Sequence, residues 1–166
     1  MILKRKMEGT FQPEDNLSFE LQLEGTFEGV RTALAHMMAH LQGLHLAHEI
    51  RENIELVMAE VLNNIAEHGF TDLPQPGSIR VCCSKAGAEL ACRVTDFGQA
   101  MPNLALPATA ALQERSQLQE VEIDALPEGG FGWALIHELT REVTYQRCGP
   151  MNALTLTFPL AEQQYR

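Results

Sequence analysis

Basic residues are scarce in this chain. Twelve lysines and arginines stand against 22 aspartates and glutamates, for a formal net charge of -10. A phosphate backbone needs a basic footprint to displace its counterions, so no direct nucleic-acid partner is expected. Any polyanionic ligand must instead be held by backbone amides, a helix N-terminus or a metal ion. Long apolar runs are also missing: none approaches the roughly 20 residues of a membrane span. The opening MILKRKMEGT lacks the apolar segment of a signal peptide. The expectation is a cytoplasmic protein without a membrane partner. Cysteine is limited to Cys82, Cys83, Cys92 and Cys148, with no C-x-x-C pair and no zinc-ligand spacing. Three of them fall in strand-like segments, where a reduced thiol behaves as a small buried hydrophobe. His36, His40, His45 and His48 crowd one region, but no H-E-x-x-H pattern accompanies them, and solvated or partly buried helix histidines are the reading.

What is present is an ordinary globular composition. The chain has 166 residues, 45% of them hydrophobic and 20% charged, which suits one domain with its own core. The chain is organised around Ile50 to Phe70, IRENIELVMAEVLNNIAEHGF. Ile50, Ile54, Val57, Val61 and Ile65 recur at helical spacing and form one buried stripe. Glu60, Asn64 and His68 share a row on its flank, so a carboxylate and an amide sit at the lip of whatever the helix covers.

Before this helix, residues 1–16 read as a loose arm, Leu17 to Leu23 as a half-buried strand by strict alternation, and Phe27 to Leu44 as a helix. After it, Ser78 to Ser84 and Glu89 to Asp96 read as strands joined by the loop Lys85 to Ala88. A long segment of about residues 97–129 reads as a lid. A helix then opens at the Gly129-Gly-Phe-Gly132 run, and two strands, Glu142 to Arg147 and Ala153 to Leu160, close the chain around the turn Cys148 to Asn152. Helices set against a mostly antiparallel sheet predict an α+β, two-layer α/β sandwich with the helices on one face, in one domain over 17–166.

Three ordered pieces carry the chemistry: Glu60-x-x-x-Asn64-x-x-x-His68-Gly69 on a helix, Asp96-Phe-Gly98 at a strand end, and Gly129-Gly-x-Gly132 at a helix start. Together they resemble the asparagine box and the two glycine boxes of the GHKL ATP-binding superfamily, which includes gyrase, histidine kinases and MutL. The layout from about Leu17 to Leu160 looks most like the anti-sigma factor serine/threonine kinases. The resemblance implies a Bergerat-type ATP-binding fold with ATP and Mg2+ as cofactors. Asn64 becomes the magnesium ligand, a neutral oxygen donor for an ion that keeps most of its waters. Glu60 becomes the general base toward a serine or threonine hydroxyl. His68 shapes the pocket edge, Asp96 takes the exocyclic amine of adenine, and Gly98 lets the base approach. Gly130 and Gly132 offer backbone N–H groups to phosphate oxygens.

Ala100 stands where the pattern has a second glycine, Arg115 is the only basic residue of the lid from Asn103 on, and Thr155 is the candidate for the late-strand threonine beside adenine. The expected function is an anti-sigma regulatory factor phosphorylating an anti-anti-sigma (STAS) partner and sequestering a sigma factor, with a homodimer implied by resemblance. Arg31, near the start of the first helix, lies where such proteins meet partners. The alternative is a nucleotide-binding module acting by protein contact without phosphotransfer. A detached histidine-kinase catalytic domain ranks below both.

Overall fold

Alternation along LSFELQL becomes β1 (Ser18–Glu24), which buries Phe19 and Leu23 on one face. The computed structural model describes residues 17–107 and 131–160. The expected N-terminal arm, most of the expected lid with Arg115, and Gly130 lie outside the described residues. Thr26 then caps α1 (Phe27–Leu41): its hydroxyl accepts from the Gly29 amide at 3.0 Å and satisfies one of the free N–H groups of the first turn. The helix buries Val30, Ala33, Met37 and Leu41. It ends three residues earlier than its periodicity predicts, because Gln42–Leu44 tightens into a 3-10 turn and His45 takes the left-handed conformation (φ 48°) that redirects the chain.

The central helix is α2 (His48–Asn64), with Ile54, Val57, Met58, Val61 and Leu62 buried. Its continuation is not regular. Ile65–Gly69 widens into a π turn, a distortion that recurs at functional sites. Phe70 follows, buried between Gly25 and Gly77; a Cβ at either glycine would collide with its ring. The Gly25 amide also donates to the Gly77 carbonyl at 2.7 Å. This clasp fixes the end of the central helix against the sheet.

The remaining elements are β2 (Ser78–Ala86), β3 (Glu89–Asp96), α3 (Phe131–Leu139), β4 (Glu142–Cys148) and β5 (Met151–Pro159). The strands form one five-stranded sheet in the order β1-β2-β3-β5-β4, and each of its ladders is antiparallel. Ile79, Val81, Leu90, Val94, Leu154, Leu156 and Phe158 on one face pack with the buried residues of α1 and α2. Each large side chain so buried contributes about 1.5–3 kcal/mol. Arg80, Ser84, Arg93 and Thr144 lie exposed on the strands. The two-layer α+β sandwich expected from the element order is the fold observed.

Both hairpin loops are shorter than expected. β2 and β3 are joined by the two residues Gly87–Ala88, with Ala86 opposite Glu89 and Gly87 at φ 58°. A loop over Lys85 to Ala88 would have set Cys83 opposite Leu90. The shorter loop sets Cys83 opposite Cys92, with Cα atoms 4.2 Å apart and the two sulfurs bonded. This corrects the expectation of reduced thiols for Cys83 and Cys92. Closing so short a loop stabilises the fold by somewhat under about 3 kcal/mol. Cys82 and Cys148 are free. Burial, and then a hydrogen bond with Glu20, push the Cys82 thiol above its usual range, while Cys148 is exposed.

Alkylation of the unfolded, unreduced protein is expected to label Cys82 and Cys148 alone, and all four cysteines after reduction. Four labels before reduction would contradict the pairing.

Candidate functional site

A cavity of about 440 Å³ opens between the C-terminal end of α2, the end of β3, the segment that follows it, and β5. Its volume lies in the range of small-ligand sites. Val61, Ile65, Met101, Pro102, Trp133 and Leu154 supply apolar walls, and Asn64, His68, Asp96, Gln99, Tyr145 and Asn152 supply polar groups. Such a cavity suits a flat, partly apolar ring whose edge carries a few hydrogen-bonding atoms.

Asp96 is the buried carboxylate of this cavity, 4% exposed at the last position of β3. A buried carboxylate is tolerated only when it is hydrogen-bonded. Its Oδ1 accepts from the Gly98 amide and from the Asn152 side-chain amide, each at 2.8 Å. Asn152 comes from β5, directly opposite Asp96 in the ladder. Its Nδ2 also donates to the Gln99 carbonyl at 2.9 Å. Its Oδ1 accepts from the Tyr145 hydroxyl and from Arg147 Nη1, each at 2.7 Å. The same Arg147 nitrogen donates to the Gly98 carbonyl at 2.9 Å, and the Tyr145 hydroxyl accepts from the Met101 amide at 3.1 Å. Side chains of β3, β4 and β5 thus hold the segment that leaves Asp96.

The π turn holds the same segment from the other side. The Gly69 carbonyl accepts from the Gln99 amide at 2.7 Å. A Cβ at Gly98 would overlap that carbonyl oxygen, so glycine is required at this position by the approach of another backbone. The expected reason, room for a ligand ring, is not the one the structure supplies. Gln99 further ties the segment to the turn after the helix, donating to Thr71 at 3.0 Å and Asp72 at 2.5 Å.

Among the expected site residues, Asn64, His68 and Asp96 line the cavity together. The Asn64 amide has no hydrogen-bond partner among the described residues and remains available to a ligand. Glu60 is one turn earlier on α2 and is not part of the cavity wall. Its carboxylate packs against Gly132 in the first turn of α3, so tightly that a Cβ there would collide with it. A carboxylate beside a helix N-terminus is favoured by the helix dipole. Gly132 therefore gives room to Glu60 as well as a backbone N–H at the helix start.

Thr155 does not fill the position expected of it. It is opposite Arg93 and Thr144, both exposed, and it takes no part in the cavity. Asn152 occupies the place beside Asp96 instead. A turn over Cys148 to Asn152 would leave it outside the ladder, whereas Cys148 pairs with Met151 around Gly149–Pro150 and puts Asn152 into β5. Tyr145 and Arg147 lie within the expected strand, and the observed register and side-chain bonds are what bring them to Asn152. The four histidines of the N-terminal half form no shared site among the described residues: His40 stacks on Phe19 with ring centroids 4.6 Å apart, and His48 pairs with Glu52 at 3.1 Å.

A nucleotide-sized cavity on one face of an antiparallel sheet, bounded by a polar helix end and a buried aspartate, defines a small-ligand-binding α+β domain. Residues 23–158 match the model of the histidine kinase-like ATPase domain, and the chain belongs to that family. No curated protein sequence matches it. Among solved structures, the chain resembles the RsbU and RsbW domains of Rv1364c from Mycobacterium tuberculosis, with 20% identity and a TM-score of 0.59 over 87% of this chain. It spans 32% of that protein, about a third of its length. It also resembles the SiaB-SiaC complex from Pseudomonas aeruginosa (12% identity, TM-score 0.61, 87% of this chain and 90% of that one). A third likeness is to the blue-light activated histidine kinase of Erythrobacter litoralis (21% identity, TM-score 0.54, 81% and 42%). At these identities the likenesses establish the fold.

Replacing Gly98 with alanine is expected to force the Gly69 carbonyl and the segment after β3 apart, at a cost of about 1–3 kcal/mol. Thermal denaturation checks this: the melting temperature should fall by several degrees, and an unchanged value would mean that the two backbones do not constrain each other.

Proposed function

We propose that the chain is an ATP-binding anti-sigma regulatory factor that phosphorylates a serine or threonine on an anti-anti-sigma (STAS) partner. The observation that carries this reading is the meeting of Asn64 from α2 and the buried Asp96 from β3 in one apolar-walled cavity. The residues present fit an adenine nucleotide. With Oδ1 of Asp96 engaged twice, Oδ2 is an acceptor without a partner among the described residues, suited to an exocyclic amine. Trp133, Ile65, Met101 and Leu154 supply the faces against which a purine ring packs. Asn64 would hold a magnesium ion, which supplies positive charge to the phosphates. Backbone amides at the start of α3, with Gly132 and the expected Gly130, would take phosphate oxygens without the basic surface that this acidic chain lacks.

Glu60 is the base in this reading. Its carboxylate accepts the proton of the attacking hydroxyl as the oxygen–phosphorus bond forms and the bond to the β,γ-bridging oxygen breaks, releasing ADP with that electron pair. Its place against the first turn of α3 puts it beside the element assigned to the phosphates. SiaB was solved as a complex with SiaC, and the RsbW domain shares a chain with an RsbU domain. Those pairings support a protein partner for this chain. The reading further includes a sigma factor and a second copy of the chain as partners, and the cytoplasm as the compartment. A contact-only module that binds nucleotide without transfer is the second reading, favoured by Ala100 at the lid entry and by the position of Glu60 outside the cavity wall.

Incubation with γ-labelled ATP and a STAS protein separates the two. Wild type is expected to transfer label, and Glu60→Ala to lose about 10²-fold or more of the rate while still binding ATP. Equal transfer by both proteins would remove Glu60 from its role. ATP binding without any transfer by wild type would establish the contact-only reading.

A further inference from the structure

The base-facing carboxylate does not hold its own orientation. Asp96 Oδ1 is engaged by a backbone amide two residues on and by Asn152 across the ladder. Asn152 can sit in only one sense. Its Nδ2 faces Asp96 Oδ1 and the Gln99 carbonyl, which are acceptors, and its Oδ1 faces the Tyr145 hydroxyl and the Arg147 guanidinium, which are donors. Turning the amide over would set acceptor against acceptor at Asp96 and Gln99 and donor against donor at Arg147. Tyr145 and Arg147 are two apart on β4, with Arg147 directly opposite Asn152, so one face of that strand carries both. They extend the hold to the backbone at Gly98 and Met101, where the chain leaves for the expected lid.

We propose that Asn152, fixed by Tyr145 and Arg147, is a positioning residue that sets how this site discriminates between purines. The inference rests on the reading of the cavity as an adenine-nucleotide site. Adenine presents a donor on its 6-amino group. Hypoxanthine presents a 6-oxo acceptor there and a donor at the neighbouring ring nitrogen. A carboxylate held in place meets the first with an attractive contact and the second with a repulsive one. A carboxylate free to shift by about the width of that step could accept from the hypoxanthine nitrogen instead. Selectivity therefore depends on what pins Asp96 as well as on Asp96 itself. Asn152 is the pin, and Ala100, which lacks the freedom of the glycine in the motif, lies within the segment that it braces.

The test uses the full chain and Trp133, which lines the cavity and is the single tryptophan of the sequence. Its fluorescence is titrated with ATP and with inosine triphosphate, both with magnesium, for wild type, Asn152→Leu and Tyr145→Phe. Wild type is expected to bind ATP more tightly. Asn152→Leu should reduce the ATP-to-inosine-triphosphate preference by about tenfold or more, the size of one hydrogen bond to a charged group. Tyr145→Phe removes a single oxygen and keeps the fold, and it should reduce the preference by a smaller factor. A merely structural brace would weaken both nucleotides together and leave their ratio alone. An unchanged ratio in both variants, or no preference in wild type, overturns the inference while leaving ATP binding established. Failure of wild type to bind ATP overturns the nucleotide reading itself, and this inference with it.

Discussion

A buried carboxylate in an already acidic protein is the constraint to which the rest of the site answers. Asp96 is 4% exposed, and an ion withdrawn from water at that depth must recover its lost solvation from hydrogen bonds. The fold supplies them from two directions. The β3–β5 ladder brings Asn152 across from Asp96, and the sharp exit of the chain from β3 returns the Gly98 amide to the same oxygen. That exit is possible because the π turn after α2 brings the Gly69 carbonyl to the Gln99 amide over a residue with no side chain. The π turn is in turn anchored by Phe70 between two glycines. The irregular parts of the molecule thus serve one geometry: one carboxylate oxygen consumed internally and the other left to the cavity.

The acidic composition and the proposed function agree once the means of holding phosphate is considered. A protein of net charge -10 does not attract a triphosphate by its surface field. It can hold one through amides at a helix start and an ion borrowed from solution, which is the chemistry that Asn64 and the start of α3 offer. Specificity is then left to the base, and the polar bridge of Asp96, Asn152, Tyr145 and Arg147 surrounds the place where a base would be read. The family assignment over residues 23–158 points the same way.

Much of this is legible in the amino-acid sequence. The apolar stripe from Ile50 to Ile65 fixed the central helix, the alternation in LSFELQL fixed β1, and the order of the three motifs pointed to the fold. What could not be read was register. The loops expected over Lys85 to Ala88 and Cys148 to Asn152 are each too long, since glycine, proline and small polar residues look like loop whether or not a ladder closes around them. Each loop is two residues, and in a sheet a small change of loop length changes every cross-strand partner. The Cys83–Cys92 bond and the Asp96–Asn152 pair both became visible only with the correct register. The widened turn at Ile65–Gly69 was equally hidden, because a π turn is imposed by what its carbonyls must meet elsewhere, here the Gln99 amide.

The claim that Asp96 is the base-reading group of an adenine-nucleotide site is tested most directly by calorimetric titration of magnesium–ATP into wild type and Asp96→Asn. In the variant, the amide oxygen would stay with the Gly98 and Asn152 donors and leave an N–H group facing the base, donor against donor. The account predicts a loss of at least about tenfold in affinity with the fold retained. Equal affinity in the two proteins would contradict it.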